Sequence, residues 1–505
     1  MMNGNGKQYM NGGRRFFGKS RSEKRAANNL GVTQGDSGFG LKGKHHRSDI
    51  LKSVDMYLSG TQYAGKAEWD DSVCSDTDSY VKMKDRKPKI IFPFAKIFQD
   101  RMSSKLVGAS TFPKFSIEED EEADYFLNNI LIPNSYFKAK MLGLSKDLIL
   151  RTSAFMRYKF TDGKLNLIKY NSNHCYPDFD DAGLLNSVEI KYIYTTNEVD
   201  PQTGKQIKRW FRLMLDRNAD TLYDNPEYKE NETPEFEVVD FAVHEMGFVQ
   251  GEWFRIGENQ NSAEGEEEPI IYMMRDFIDC LNYNLSQSDK AVSYGTEPQL
   301  AITGLDSEDA ENLIKSASKT WLLGRDGKAE FLEIGGAGVS AAKEQRDDYL
   351  KLFQHIARIV LHDPEKMVGN AQSGKALEQL MAPVVELVNE LRPWTEKGMI
   401  SLLEKISTSI VLLGLQGFET EFVIPKRWMP VNLRAKATWP PIFELTTQDQ
   451  QQIVSLALQA ASGNIISRDT ALRWIQSQGV DFGVEDFELE VQKVNSQQQF
   501  NTFGF

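Results

Sequence analysis

Gly369-Asn-Ala-Gln-Ser-Gly374-Lys375-Ala376 is the stretch of this 505-residue sequence whose residue types and spacing come nearest to a known chemistry. Two spaced glycines followed by lysine are the pattern of a phosphate-cradling loop. In such a loop backbone N–H groups hold the phosphates, and a Ser or Thr after the lysine ligates magnesium. Here Ala376 stands where that hydroxyl is required, and a helix and a His-Asp-Pro loop precede the glycines instead of a buried strand. Ser373 is better placed as the capping oxygen of a helix that starts at Gly374. A nucleotide-driven enzyme is therefore the alternative here, not the expectation.

The six histidines complete no other constellation. His45-His46 falls in a polar tail, and His174 lies beside Cys175 with no further Cys/His pair to close a tetrahedral metal set. His244-Glu245 lacks the second helical histidine of a zinc protease. His355 and His362 fall on and just after a predicted helix, as ordinary helix or C-cap residues. No Gly-x-Ser-x-Gly elbow and no dinucleotide fingerprint stands in the right context. Cys74, Cys175 and Cys280 are scattered and odd in number, which gives no disulfide framework and fits a reducing compartment. The acidic run 118–122 reads as the first turn of a helix, where carboxylates complement the N-terminal dipole, in preference to a metal site. No catalytic, cofactor-binding or metal-ligating residue is expected.

Length and composition set the frame for this. The chain is long enough for about three domains, and 40% hydrophobic with 26% charged residues is ordinary for a folded protein. No stretch approaches the ~18 apolar residues of a membrane span. The Gly/Asn-rich residues 1–13 hold no apolar signal region, so neither membrane insertion nor secretion is expected. The net charge of −13 excludes a broad basic grip on phosphates. Residues 1–47 are the exception, with ten Lys/Arg against two acids. That composition predicts a flexible basic arm, either a nucleic-acid or partner-binding arm or a solubilising tail.

Hydropathy places the elements. A helix is predicted from an N-cap at Ser48-Asp49 through Leu58, another over 93–108 ending at Gly108, and a third over 137–151. A β-rich region follows, with turns at Asp162-Gly163 and Pro201-Gln-Thr-Gly204 and strands at 210–215 and 236–240. From Pro269 a helix carries Ile270, Met273, Met274, Phe277, Ile278, Leu281 and Leu285 as one stripe and ends at Gly295. A compact α/β insert comes next: a strand at 300–303, a helix at 307–320, and a hairpin of 321–323 with 329–334 around Arg325-Asp-Gly-Lys328. The unit at 340–415 is a helix with Tyr349, Phe353, Ile356 and Val360 on one face, a loop, and a very long helix. The long helix carries Leu377, Leu380, Met381, Val384, Val385, Val388 and Leu391 at a 3.6-residue period. Pro383 and Pro393 fall within it, and kinks are expected at both. Strand-like pieces at 421–424 and 431–438 follow. Two helices close the ordered chain, one from Thr447 or Asp449 to Ala461 and one capped by Ser467 with Ala471, Leu472 and Ile475.

In that order the features resemble the portal proteins of tailed bacteriophages, in the broad SPP1-like group. Three stretches carry the resemblance: Phe277-Ile-Asp-Cys-Leu-Asn282 with Ser286; residues 349–360 with Ser373-Gly-Lys-Ala-Leu377; and Gly463-Asn-Ile-Ile-Ser467 with Thr470-Ala-Leu472. The resemblance implies an α+β portal fold with a wing, a helical stem, an α/β clip, a helical crown and a long kinked helix, assembling into a ring. Carried onto this chain it gives 1–47 as the arm, 48–268 as the first part of the wing and 269–294 as a stem helix. It makes 295–339 the clip, 340–361 the second stem helix and 362–373 the tunnel loop. Residues 374–444 become the long helix with the rest of the wing, and 445–505 the crown and tail. The basic arm and the acidic loop 259–268 depart from the family pattern.

The implied function is that of a ring, usually of twelve subunits, at one capsid vertex. Through it a separate terminase packages double-stranded DNA, and DNA later exits. The implied partners are further copies of the chain, the terminase large subunit, head–tail adaptor proteins, and the major capsid and scaffolding proteins, with no membrane. The implied location is the virion, after assembly in the host cytoplasm. A non-channel structural capsid protein is the other alternative. On this assignment the tunnel-loop candidates facing DNA are Asp363, Glu365, Lys366, Met367, Asn370, Gln372 and Lys375. The candidates facing a partner from the clip are Arg325, Asp326 and Lys328.

Overall fold

The computed structural model describes residues 47–68, 85–117, 120–161, 164–229, 232, 234–257, 266–296, 299–303, 328–332, 337–360, 379, 381–413, 425, 427–428, 434–443, 447–463 and 465–477. Helix α1 (Arg47–Ser59) already includes Ser48 and Asp49, so the expected cap residues are helical here. Helix α2 (Phe94–Val107) ends before Gly108 as expected, and β1 (Lys114–Ser116) follows. Asp120 caps α3 (Glu121–Tyr125) by accepting from the N–H groups of Glu122 and Ala123, so the acidic run does start a helix. That helix runs on through a π-wound stretch, Phe126–Leu131, into α4 (Ile132–Asn134). Pro133 has no N–H to give the carbonyl four residues back, and the ladder widens just ahead of it. Helix α5 (Phe137–Arg151) spans the residues predicted for it.

The β region forms two sheets. Strands β2 (Ser153–Thr161) and β3 (Lys164–Tyr170) pair antiparallel around a two-residue connection. In the five-stranded sheet β4 (Cys175–Phe179), β5 (Leu185–Val199), β6 (Gln206–Asp216), β7 (Ala219–Tyr223) and β8 (Val238–Val243) lie in sequence order. Gly204 closes the β5–β6 turn with φ of 65°, a left-handed conformation that glycine adopts without a Cβ clash. Strand β8 starts two residues later than expected, since Phe236 instead packs edge-on against Trp210. Strand β9 (Gly251–Arg255) completes the smaller sheet in the order β3-β2-β9.

Alternation along β2 makes this a three-layer body. Ala154, Met156 and Tyr158 face the helices, in a core shared with Met141, Leu148, Val388 and Leu402. Phe155, between them, faces the other way and joins Trp253, Val188, Ile190, Leu213 and Leu215 in a second core beneath the five-stranded sheet. The buried Arg157 and Asp220 tie the two sheets with an ion pair of 2.5 Å.

The expected helix after Pro269 is two helices, α6 (Ile270–Met273) and α7 (Arg275–Thr296), broken at Met274. The break turns Met273 outward, 56% exposed, so it leaves the predicted stripe, while Ile271, Met274, Ile278 and Leu281 are buried. Strand β10 (Gln299–Thr303) pairs antiparallel with β11 (Lys328–Leu332). The expected hairpin partner 321–323 and the helix 307–320 lie outside the described residues. Helix α8 (Ala337–Ala357) returns alongside α7.

Helix α9 (Ala382–Leu413) has 32 residues, a length of about 48 Å. Pro383 lies in its first turn, after a turn at Met381 that separates it from the helical Gln379, while the rest of 374–380 lies outside the described residues. Pro393 lies in the interior, on the exposed side. Leu377 and Leu380 lie outside the described residues, as does the strand expected at 421–424. Strand β12 (Lys436–Thr438) pairs with β1. Helices α10 (Thr447–Ser462) and α11 (Arg468–Ser477) form a separate small core of Ile453, Ala457, Ala471 and Ile475, and Ser467 caps α11 by accepting from the Thr470 N–H at 3.1 Å.

Candidate functional site

Helices α7 and α8 pack side by side, and beyond them the strand after α7 pairs antiparallel with the strand before α8. What holds their near ends is a set of polar groups inside apolar surroundings. Asn282 and Ser286 on α7 are both fully buried. Asn282 accepts from the Phe92 N–H at 2.9 Å and donates to the Tyr63 hydroxyl at 3.0 Å. Ser286 accepts from the Ile90 N–H at 3.0 Å. The chain segment ahead of α2 is thus stitched to α7 by side chains standing in for strand partners. Tyr63 donates in turn to Asp279 at 2.7 Å, and burial pushes the Tyr63 phenol up, with the Asp279 carboxylate adding to it. Tyr57 is raised for the same two reasons. Lys66 donates to the Tyr283 hydroxyl at 3.0 Å, and Tyr283 donates to the Arg86 carbonyl at 2.6 Å.

Helix α8 packs against both neighbours. Tyr349 meets Phe277 edge-on, Gln345 accepts from the Asn284 amide at 2.9 Å, and Phe353 lies 4.3 Å from Phe94 between ring centroids. Phe353 and Ala357 are buried, but Ile356, expected on the same face, is 46% exposed. Three residues on from Phe353 the helix has turned by 300°, and α2 is not wide enough to cover both.

The end of α8 is the root of the stretch 361–380. Arg358 takes a left-handed conformation (φ 50°) that a non-glycine residue adopts at a cost. Its guanidinium pairs with Glu390 on α9 at 2.5 Å. Arg101 on α2 donates to the Val360 carbonyl at 2.7 Å, holding the last described residue before the loop. The chain re-enters at Met381, whose carbonyl accepts from Val384 and Val385. Next to Arg101, Asp100 bonds Lys146 at 3.0 Å and Lys96 at 3.1 Å. Burial works against the charge there, yet the two lysines hold the carboxyl below its ordinary value. A groove of about 630 Å3 opens beside this root, lined by Phe92, Ile97, Arg101, Leu285, Arg346 and Leu350 among others.

Of the predicted site residues, Asp363, Glu365, Lys366, Met367, Asn370, Gln372 and Lys375 lie outside the described residues, as do Arg325 and Asp326. Lys328 opens β11 opposite Thr303 and is exposed. The structure instead shows the contacts at the end of α8, made by Arg101, Arg358 and Glu390. Sequence reasoning passed over all three because charged helix residues look alike until their partners are known. Asn282 and Ser286 did stand in a quoted motif, and their shared face with Ile278 and Leu281 was the available signal.

His174, His244 and Cys175 are held within the fold, while His355 and Cys280 are exposed. His174 stacks on Tyr192 at 4.9 Å, and burial lowers its pKa. His244 Nδ1 accepts from the Met246 N–H at 3.4 Å, and Nε2 lies 3.7 Å from Asp220. Cys175 is buried, donates to the Asn171 carbonyl at 3.3 Å, and has its thiol pushed up by desolvation. Among the described residues no cluster of three or more His, Cys, Asp or Glu side chains can hold a metal ion, and no helix is long and apolar enough to cross a membrane.

Residues 43–499 match the family model described as phage portal protein, SPP1 Gp6-like. No curated protein matches the chain.

Proposed function

The chain belongs to the SPP1 Gp6-like family of phage portal proteins, virion proteins of DNA packaging and head–tail connection, and on that premise we propose that it forms a closed ring at one capsid vertex. Double-stranded DNA enters through the ring under the drive of a separate terminase and later leaves through it. The helical pair α7–α8 is the stem, the sheet β10–β11 belongs to the clip that meets terminase and then adaptors, and α10–α11 to the crown. The layered body between α1 and β9, with the outer part of α9, is the wing. Twelve subunits, assembly in the host cytoplasm, and contacts with capsid and scaffolding proteins come with that reading. The chain does no chemistry of its own in it.

The observation that carries the reading is the extent of the family match, which takes in every described element. The physics supports it. A passage for DNA must not retain it, because each phosphate contact adds to the barrier against sliding. Subunits with a net charge of −13 give a wall that repels. The loop root is built to transmit force: Arg101 ties it to α2, and Arg358–Glu390 ties it to the long α9, which crosses β9 in the wing. A displacement of the loop therefore reaches the wing through packed elements.

Negative-stain microscopy of the purified chain tests this directly. Closed rings with an axial hole are expected, and monomers or open filaments would overturn the proposal. ATP turnover that disappears in a Lys375→Ala variant would overturn it equally, in favour of a nucleotide-driven enzyme.

A further inference from the structure

The stem pair carries two unmatched apolar features on opposite sides. One is the groove beside the loop root, walled by Ile97 of α2, Leu281 and Leu285 of α7 and Leu350 of α8, with Arg101 and Arg346 at its rim. The other is a ridge on α8 made by Leu352 and Ile356, each 46% exposed. At 100° per residue, Leu352 lies about 200° around the helix from Leu350, and Ile356 about 240°. The groove and the ridge therefore face away from each other. Asp348 shares the ridge face one turn before Leu352, and its described ion pair, with Lys351, is long (3.3 Å) and exposed on both sides.

We infer that the groove of one subunit receives the Leu352–Ile356 ridge of the next copy of this chain. An apolar ridge and a complementary groove on different faces of one molecule make a head-to-tail contact, which closes into a ring when its rotation divides a full turn. Two copies joined in this way still expose one groove and one ridge, so the contact repeats. Charge points to the same occupant: Arg101 and Arg346 line the groove beside Asp100, whose charge Lys96 and Lys146 offset, and although Arg346 pairs with Asp347 the ridge adds the Asp348 carboxylate opposite these cations. The inference rests on the ring reading and adds the surface that sets subunit order in the stem.

The test uses the full chain. Leu352→Glu/Ile356→Glu is compared with the unchanged chain by mass photometry and negative stain, with circular dichroism and a melt to check the fold. Both side chains are half in solvent, so the subunit is expected to fold, while the concentration at which rings dissociate rises by at least about tenfold. For an independent readout, Leu285→Cys and Ile356→Cys are combined in a Cys74→Ser/Cys280→Ser background and treated with a short bis-maleimide. A ladder of covalent multimers beyond the dimer is expected from the pair, and none from either single cysteine. Rings of unchanged stability from the double glutamate variant would overturn the inference, as would intact rings from the cysteine pair that give no ladder. If the unchanged chain itself makes no rings, the ring reading fails first, and that outcome is seen separately in the same images. If the double variant proves unfolded, the cysteine pair alone decides.

Discussion

Truncating Asn282 would leave the buried Phe92 N–H unpaired and take one donor from the Tyr63 hydroxyl, which keeps its bond to Asp279. A buried polar group stripped of its partner costs about 1–3 kcal/mol. Asn282→Ala is therefore expected to lower unfolding stability by ~1–3 kcal/mol in urea titration, with one buried donor orphaned. A loss under ~0.5 kcal/mol, as for an ordinary surface change, would show that the stitch between α7 and the segment before α2 is not made. Asp120 offers a test in pH. Some burial opposes its charge, but the Ala123 N–H, the Arg427 cation, the Trp428 indole and the Glu122 N–H favour it, so the folded carboxyl titrates below its ordinary value. A depressed folded value means stability that is complete above ~4, the unfolded value, and is lost as pH falls through the folded one. Asp120→Asn keeps a capping oxygen but loses the charge. At a fixed protein concentration its melting midpoint should lie below the parent's at neutral pH and converge with it in acid. A gap that persists unchanged at the lowest pH would rule out the charge as the cause.

At the scale of elements, the packing of α9 across β9 admits no added atom at one point. A Cβ on Gly398 would overlap the ring of Phe254, itself buried and held in the main core. Alanine is intrinsically the better helix former by about 1 kcal/mol, so propensity alone predicts stabilisation. Overpacking of ~1–3 kcal/mol should win, because the Phe254 ring cannot move without disturbing β2. Gly398→Ala is expected to melt lower than the parent, and a higher melting point would mean that α9 and β9 are less closely packed than described. The same crossing is held by Lys405, which donates to Glu252 at 2.6 Å and to the Gly251 carbonyl at 3.0 Å. Helix α9 is thereby held at its crossing with β9 as well as near its start, through Arg358 and Glu390.

On the ring reading proposed above, the governing quantity for the whole molecule is charge against DNA. In such an acidic ring a lysine of the proposed tunnel loop would offer a passing phosphate one of few cationic contacts. Lys366→Glu is expected to change the length of DNA packaged or the efficiency of packaging, measured in a terminase-driven assay, while rings still form. Failure of ring assembly in that variant would place Lys366 in a subunit interface and remove the loop from the channel.

The sequence by itself determined which segments are helical and where most of them stop. The signals involved are local: the 3.6-residue stripe entering α9, Gly108, the acidic first turn of α3 and the cap at Ser467 act between residues within a turn or two. It also carried the family resemblance, in the order of those elements. The tertiary structure decided the rest, because the rest depends on partners distant in the chain. Asn282 became a buried stitch through the Phe92 N–H, 190 residues away in sequence. Ile356 and Met273 left their predicted stripes because a helix face is buried only where a neighbour is wide enough to cover it. Strand β11 found β10 at the other end of the insert, since antiparallel pairing there also brings α7 and α8 side by side. Periodicity states that a face is apolar; only the assembled chain states what lies against it.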